Sequence, residues 1–257
     1  MYMLDNVSKG ILFLKIFAIS FIVLGLSYWQ SQTLPKKFVS LDNLRKEPLQ
    51  AETAKKPFKV EAKGNSYQIE PLFDYEIWGL VVSDHDSDSW TDNVHESWGD
   101  YINTKDICVI WGANITNPLL KKLNFSHGNF FCYVNTKSTE AWQSFDKNKL
   151  SNNHLIPANK EIEYLIRKSH VGDEIRIKGQ LVNYNVNTGP FRKTSTVRTD
   201  TEGGACEIIY VNEFETLARN NKIWFQLLII SKIVCVLSLL AALVFLVGVP
   251  FLYHHDE

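Results

Sequence analysis

The hydrophobic positions of this chain are concentrated at its two ends. Residues 11–29 contain one charged side chain, Lys15, and residues 223–253 also contain one, Lys232. A helix needs about 20 apolar residues to cross the hydrocarbon core of a bilayer, and both runs meet that length. Tyrosine and tryptophan side chains lie at the ends of the runs, where they favour the headgroup level. The pattern therefore predicts two transmembrane helices, over residues 11–30 and 223–250.

The first apolar run is predicted to be a retained anchor. A cleaved signal peptide is the alternative, but the apolar core is longer than that of a signal peptide, and the sequence Tyr28-Trp29-Gln30 lacks the small residues of a cleavage site. Two spans place the tails 1–10 and 251–257 on one side of the membrane and the central segment on the other.

The sequence leaves open which side of the membrane holds the central segment. Basic residues near the membrane are more numerous in the central segment than in the tails, and the positive-inside rule then favours a cytoplasmic location. That rule is weak for long loops, and a short basic tail before the first span is also typical of a signal anchor with an exported domain.

Residues 31–67 are read as a basic tether before the main domain. They hold eight basic and four acidic residues, an excess of about +4 that favours contact with anionic lipid headgroups. The alternative is a solvated linker with a helical turn around residues 41–47.

Residues 68–217 show the alternation of a β-rich domain. The segments predicted to be strands are rich in β-branched and aromatic residues and comprise residues 75–82, 107–112, 129–134, 171–182 and 205–217. Helical spacing is confined to residues 117–123 and 159–168. We therefore expect a mostly β fold, a small OB-like barrel with one or two short helices. The phrase GDEIRIKGQL, whose glycine permits a bend, resembles a strand of OB barrels.

The cysteines permit two interpretations. Cys235 lies in the second apolar run, and the central segment holds Cys108, Cys132 and Cys206. An oxidising compartment would allow one disulfide and leave one thiol, whereas a reducing one would leave three buried thiols. The spacing does not choose between these interpretations or name a pair.

The densest group of candidate ligands follows the first predicted strand. Alternating aspartates resemble the spacing of a calcium loop, although the glycine and the final glutamate of an EF-hand are replaced by Ser89 and His95. A divalent cation site remains a hypothesis, either on carboxylates or on the two histidines. Its candidate residues are Asp84, His85, Asp86, Asp88, Asp92 and His95. The alternative is a solvated acidic loop that caps a short helix over residues 90–98.

A basic segment is the candidate anion site. Arg192, Lys193 and Arg198 lie among several hydroxyl side chains and would suit a phosphate or a carboxylate. The alternative is a structural salt bridge of Arg198 with Asp200 or with the acidic loop.

Charge and motifs argue against several function classes. The whole chain has a net charge of −1, and residues 68–217 hold 14 basic and 21 acidic residues, which disfavours nucleic-acid binding. No phosphate-binding loop, dinucleotide fingerprint, nucleophile elbow or zinc-protease motif is present. Asn153 and His154 are interpreted as a turn.

Four passages of the central segment stand out together: WGLVVSDHDSDSW, KDICVIWG, LSNNHLIP and TSTVRTDTEGGACEIIYV. Together they resemble an uncharacterised family of bacterial proteins that have a membrane anchor and one extramembrane domain, and the resemblance covers residues 58–217. It implies a location in the bacterial inner membrane and favours an extracytoplasmic domain. It implies no catalytic activity.

The leading expectation is a two-span membrane protein whose barrel is a binding or scaffold module. Its partner would be an envelope or membrane protein, a second copy of the chain, or a small ligand, in addition to the lipid bilayer. The alternative is an effector in which a metal or ligand on the barrel alters the packing of the transmembrane helices. A hydrolase that depends on His85 or His154 comes third.

Overall fold

The computed structural model describes residues 2–89, 92–128, 130–197, 199–200 and 205–248. The helices are α1 (Tyr2–Ser31), α2 (Leu41–Leu44), α3 (Asn93–Ser97), α4 (Thr139–Ser144), α5 (Lys160–Arg167) and α6 (Lys222–Leu243). The strands are β1 (Leu49–Glu52), β2 (Phe58–Ala62), β3 (Asn65–Asp86), β4 (Lys105–Ile110), β5 (Asn124–His127), β6 (Cys132–Asn135), β7 (Leu150–Pro157), β8 (Asp173–Val186) and β9 (Cys206–Arg219). The chain divides into a helical unit, residues 1–33 with 221–257, and a central domain, residues 34–220.

The helical unit is an antiparallel pair formed by α1 and α6. The Phe13 and Phe245 rings stack with centroids 5.6 Å apart, and Ser20 Oγ lies 3.1 Å from Cys235 Sγ. Large apolar side chains on the other faces of both helices are exposed. Both helices are long and apolar enough to cross a membrane, which agrees with the two predicted spans. Residues 249 and 250 of the second predicted span lie outside the described residues.

Five strands of the central domain form a ring of pairings. β3 pairs with β4, β4 with β7, β9 with β8, and β8 with β3, all antiparallel, whereas β7 and β9 are parallel. β1 and β2 pair with β3 along the edge opposite β8. The domain is therefore β-rich with a mixed sheet, in agreement with the predicted fold class at that level.

Side-chain alternation gives each strand of the ring two different faces. The inner faces supply one continuous apolar cluster that includes Ile77, Val109, Leu155, Ile177 and Ile209. Helix α5, which connects β7 to β8, buries Ile162 and Ile166 against the same cluster. The outer faces pack against loops and against the β5–β6 hairpin.

The glycine of β8, which is predicted to permit a bulge or bend, lies at an irregularity of the strand. The β8–β9 register shifts between Lys178 and Gly179, and a Cβ atom on Gly179 would lie 2.0 Å from the Tyr210 carbonyl oxygen. Glycine is required here because the neighbouring strand approaches too closely for a side chain.

Several segments differ from their predicted structure. Residues 31–67 contain β1, β2 and the start of β3. On β2, Phe58 and Val60 alternate with exposed residues, and their side chains pack against the apolar cluster on the outer face of β3 and β8. Residues 117–123 contain a short 3₁₀ turn, Leu120–Lys122, instead of a helix. The predicted strand 129–134 is shifted to Cys132–Asn135, where it pairs with β5; residue 129 lies outside the described residues.

A disulfide joins Cys108 on β4 to Cys132 on β6, with Cα atoms 5.9 Å apart. Cys206 and Cys235 are free thiols. Of the two interpretations of the cysteines, the structure has the one with a single disulfide and one free thiol in the central domain.

Candidate functional site

Strand register places two polar rows on the outer face of four neighbouring strands. Cross-strand partners share a face of a sheet, so that the pairings of β3, β4, β7 and β9 align side chains across the sheet. The first row comprises Ser83, Cys108, Asn152 and Cys206, and the second comprises His85, Asp106 and His154. Polar groups that are remote in sequence are thereby brought together on rigid elements.

A chain of imidazole and carboxylate groups begins at Asp92. This residue is the N-cap of α3, and its carboxylate accepts hydrogen bonds from the backbone N–H groups of Val94 and His95. Its other oxygen lies 2.8 Å from His85 Nε2 and 2.6 Å from His95 Nδ1. Burial alone would raise the pKa of Asp92, but these contacts outweigh it and the pKa lies below its usual value.

The chain continues from His95 to Asp106. Asn103 Nδ2 lies 3.2 Å from His95 Nε2 and donates a hydrogen bond of 2.8 Å to Asp106 Oδ1. Asp106 is fully buried, and its Oδ1 lies 2.7 Å from His154 Nδ1. An opposite charge at this distance is what allows a carboxylate to be buried.

Asp106 and His154 stabilise each other's charged forms. Burial opposes ionisation of both groups, but the mutual attraction outweighs it. The pKa of the Asp106 carboxyl is lowered, and the pKa of the His154 imidazole is raised to about 10. His154 is therefore an imidazolium at neutral pH.

The Cys206 thiol completes this arrangement. It lies on the same outer face as His154 and lines the same cavity, and its Sγ lies 3.6 Å from both Asn152 Nδ2 and the Phe130 carbonyl oxygen. Cys206 is partly exposed and belongs to no disulfide. A thiol, an imidazole and a buried carboxylate thus occur in sequence across β9, β7 and β4, which is the order of groups in cysteine nucleophile sites.

A cavity of about 240 Å³ opens beside Cys206 and His154. Its walls include Trp98 and Phe130, whose rings stack at 5.2 Å, and the guanidinium of Arg192 lies 4.9 Å from the Trp98 ring. The cavity therefore combines an aromatic surface with cationic groups.

Two of the predicted anion-binding residues lie at this cavity. Arg192 contacts the buried carboxylate of Asp100 and the Tyr184 hydroxyl, and Lys193 is exposed at the cavity wall. Among the described residues, Lys193 has no ion-pair partner. Arg198 lies outside the described residues.

Three of the six predicted metal ligands, Asp84, Asp86 and Asp88, are paired with lysine or arginine side chains. Lys105 Nζ lies 2.5 Å from Asp84 and 3.4 Å from Asp86, while Arg167 lies 2.8 Å from Asp88. Only Asp92, His85 and His95 lie together. No group of three or more such side chains with metal-binding geometry occurs in the part of the chain that is described. The helix predicted after this loop is confirmed as α3, with Asp92 as its cap; residues 90 and 91 are not described.

The sequence interpretation missed Cys206, His154 and Asp106 as a group. Residues 153 and 154 were expected to form a turn, but they belong to β7. The sequence contained one usable signal. If residues 150–157 form a strand, its period of two places Asn152 and His154 on the same face. No protein-family model, curated protein or solved structure matches this chain.

Proposed function

We propose that this chain is a two-pass protein of the bacterial inner membrane that holds an OB-like barrel outside the cytoplasm. We further propose that the outer face of the barrel is a binding module for a small anionic ligand with an apolar body. The cavity beside Lys193, Arg192 and His154 is the observation that carries this function.

The ring of pairings supports the assignment of an OB-like barrel. The ring has five strands with one parallel pair, and helix α5 lies between β7 and β8, the third and fourth of these strands in the sequence. This is the arrangement expected for such a barrel. The apolar inner cluster and the glycine bend of β8 support the same assignment.

The disulfide supports an extracytoplasmic location. Disulfides persist in oxidising compartments and are rare in the cytosol, where thiols are kept reduced. The Cys108–Cys132 pair lies in the central domain, and the two apolar helices flank that domain in the sequence. The positive-inside rule would favour a cytoplasmic location, but it is weak for a segment as long as the central one.

The charges around the cavity favour an anion. His154 is balanced by Asp106 and Arg192 by Asp100, whereas Lys193 adds a positive charge at the wall. The Trp98 side chain is 53% exposed and Phe131 is 51% exposed, so that aromatic surface is available to an apolar group. A carboxylate or phosphate attached to a small apolar body matches both features.

Ligand-induced stabilisation tests this function on the full-length protein in detergent. The probes are phenyl phosphate, inorganic phosphate, which lacks the ring, and phenol, which lacks the charge. We expect phenyl phosphate to raise the melting temperature most, by roughly 5–10 °C at a concentration of about 100 times its Kd. Isothermal titration then gives the affinity for each probe.

A matched pair of lysine variants shows whether the stabilisation arises at the cavity. Lys193→Gln removes the positive charge at the cavity wall and should weaken phenyl phosphate binding about tenfold. Lys59→Gln removes an exposed charge on β2 and should leave binding unchanged. Equal shifts in both variants, or no shift with either anion, would contradict the proposal.

A further inference from the structure

We propose that Cys206 is a nucleophile, with His154 as its acid–base partner and Asp106 as a positioning residue. The substrate would be a small acyl ester or thioester that carries an anionic group. This inference rests on the proposed function because the acyl donor would occupy the same cavity, but it adds a chemical step at the cavity wall.

Strand geometry holds the three groups in place. Asp106 and His154 are direct partners in the β4–β7 register, and Cys206 lies opposite Asn152, two residues before His154, in the parallel β7–β9 register. Sites built on strands maintain geometry better than sites on loops. The Asn103 amide donates a 2.8 Å hydrogen bond to Asp106 Oδ1, the same oxygen that lies 2.7 Å from His154 Nδ1.

The thiol is accessible from two directions. Cys206 lines the cavity of about 240 Å³ and also a neighbouring cavity of about 320 Å³. Trp98 and Arg192 belong to the first cavity, and Trp142 and Phe145 belong to the second. An acyl group in either cavity would therefore lie beside the sulfur atom.

The chemical step can be written with protein groups and water alone. The thiol proton leaves to water, and the sulfur attacks the acyl carbon beside the His154 imidazolium, whose positive charge Asp106 stabilises. The C–S bond forms, the bond from the acyl carbon to the leaving oxygen or sulfur breaks, and the imidazolium donates a proton to the leaving group. Water then attacks the thioester and gives one proton to the neutral His154 ring, the C–S bond breaks to release a carboxylic acid, and the Cys206 sulfur regains its proton from water.

Lys193 and Arg192 give this reaction its expected substrate class. An anionic group on the donor would bind at these side chains, and its apolar part would lie over Trp98 and Phe130. The acyl carbon would then face the wall formed by Cys206 and His154. A neutral ester lacks the first of these contacts and should react more slowly.

The rate of Cys206 alkylation by iodoacetamide tests the nucleophile. The reagent is uncharged, so this rate does not depend on whether the cavity binds anions. In the full-length protein at pH 7.5, followed by mass spectrometry, native Cys206 should react at least tenfold faster than the same residue in urea. His154→Gln should remove most of that acceleration.

His127→Gln is the matched control for the loss of an imidazole. His127 lies on β5, and its Nδ1 contacts Ser83 Oγ at 3.3 Å. The alkylation rate of Cys206 should be unchanged in this variant. Equal rates in the wild-type and His154→Gln proteins, or a native rate no faster than that in urea, would overturn the proposal, as would the recovery of Cys206 in a disulfide.

Asp106→Asn tests the positioning role. In protein labelled with carbon-13 histidine, the ring shifts of His154 should report an imidazolium at pH 7.5 in the wild type and a neutral ring in this variant. Cys206 alkylation should slow in parallel. An unchanged ring signal would show that Asp106 has only a structural role and would overturn its assignment.

Acylation separates this inference from ligand binding. With the mono-4-nitrophenyl ester of glutaric acid, we expect a burst of one nitrophenolate per chain and a mass increase on the Cys206 peptide, both absent in Cys206→Ser. Phenyl phosphate stabilisation without acylation would overturn the nucleophile and leave the proposed binding function intact. Fast alkylation and acylation without phenyl phosphate stabilisation would overturn anion binding and leave the nucleophile intact.

Discussion

Two buried charges in the central domain are each paired with an opposite charge. Lys105 is fully buried, and its amine contacts the Asp84 carboxylate and donates a 2.7 Å hydrogen bond to the Ser169 carbonyl oxygen. Asp106 is equally buried and is balanced by His154. Removal of one partner from such a pair typically costs about 3–5 kcal/mol, because the remaining charge has no counterion. Of these residues, Asp106 and His154 have shifted pKa values and therefore make stability depend on pH.

At the residue scale, His154 should make the central domain less stable as the pH rises. The pKa of His154 is about 10 in the folded protein and about 6.5 in an unfolded chain. The folded state therefore holds the additional proton between these values. Its stabilising effect is complete below about pH 6.5 and is lost as the pH rises toward 10, with a slope of at most about 1.4 kcal/mol per pH unit. Melting temperatures between pH 6.5 and 9 measure this slope.

Two histidine variants isolate the contribution of His154. His154→Gln should melt at a lower temperature at pH 6.5 and show a flatter decline toward pH 9. The effect of His127 on the pH dependence of stability has the opposite sign. Burial lowers its pKa to about 4, so the folded state disfavours its protonation. His127→Gln should therefore change the profile below pH 6.5 and keep the alkaline decline. The same alkaline slope in the wild type and in His154→Gln would refute this account.

At the element scale, β8 depends on a glycine that permits close strand approach. The Gly179 backbone faces the Tyr210 carbonyl oxygen where the β8–β9 register shifts. The β8–β9 and β3–β8 pairings both pass through this region, so a disturbance here affects two edges of the ring. The bend is therefore part of what allows β8 to pair on both sides.

Gly179→Ala should destabilise the central domain. A methyl group has no room against the neighbouring backbone, and overpacking of this kind typically costs about 1–3 kcal/mol. Lys178→Ala at the adjacent exposed position removes a surface ion pair with Glu213 and should change stability by less than about 1 kcal/mol. Equal melting temperatures for the two variants would show that the strands can separate at little cost.

Element identity was predictable where a pattern is local. The length of the apolar runs predicted α1 and α6, and the capping residues of the acidic loop predicted a short helix over residues 90–98, where α3 lies. The phrase around Gly179 predicted an irregularity in β8, where the register shifts. Strand β7 was missed because Ser151 and Asn153 on its inner face are polar. The Asn153 amide donates a 2.9 Å hydrogen bond to Ser151 Oγ, and these two polar residues replace the usual apolar alternation of a strand.

The candidate site was less predictable than the elements that carry it. Its groups meet through the parallel pairing of β7 and β9 and the antiparallel pairing of β4 and β7, and pairing register is not written in local sequence. The anion prediction named Arg192 and Lys193, which line the cavity beside His154, but could not identify Asp100 as the partner of Arg192. The predicted metal ligands Asp84 and Asp88 pair with Lys105 of β4 and Arg167 of α5, and the spacing of residues along the chain does not reveal these pairs.

At the scale of the whole molecule, the Cys108–Cys132 disulfide joins β4 to the β5–β6 hairpin. The sequence separation is 24 residues, and closure of such a loop in the unfolded chain corresponds to about 3 kcal/mol. The double variant Cys108→Ala/Cys132→Ala should therefore melt roughly 6–12 °C lower. Cys206→Ala removes no cross-link and serves as the control, and equal melting temperatures of the two proteins would contradict the contribution of the disulfide.

Membrane sidedness is the remaining prediction for the whole molecule. A domain outside the cytoplasm should be cut by protease added to intact spheroplasts, while epitope tags on both termini stay protected until the cells are lysed. A cytoplasmic marker protein controls for leakage, and maleimide labelling before and after reduction reports the Cys108–Cys132 pair in the same samples. The two results are linked by chemistry, since the cytosol would reduce this disulfide. Protection of the central segment together with free Cys108 and Cys132 thiols would place the domain in the cytoplasm and refute the proposed location. External cleavage with a retained disulfide would instead leave Cys206 as the free thiol of a domain in an oxidising compartment, where its reactivity can be measured directly.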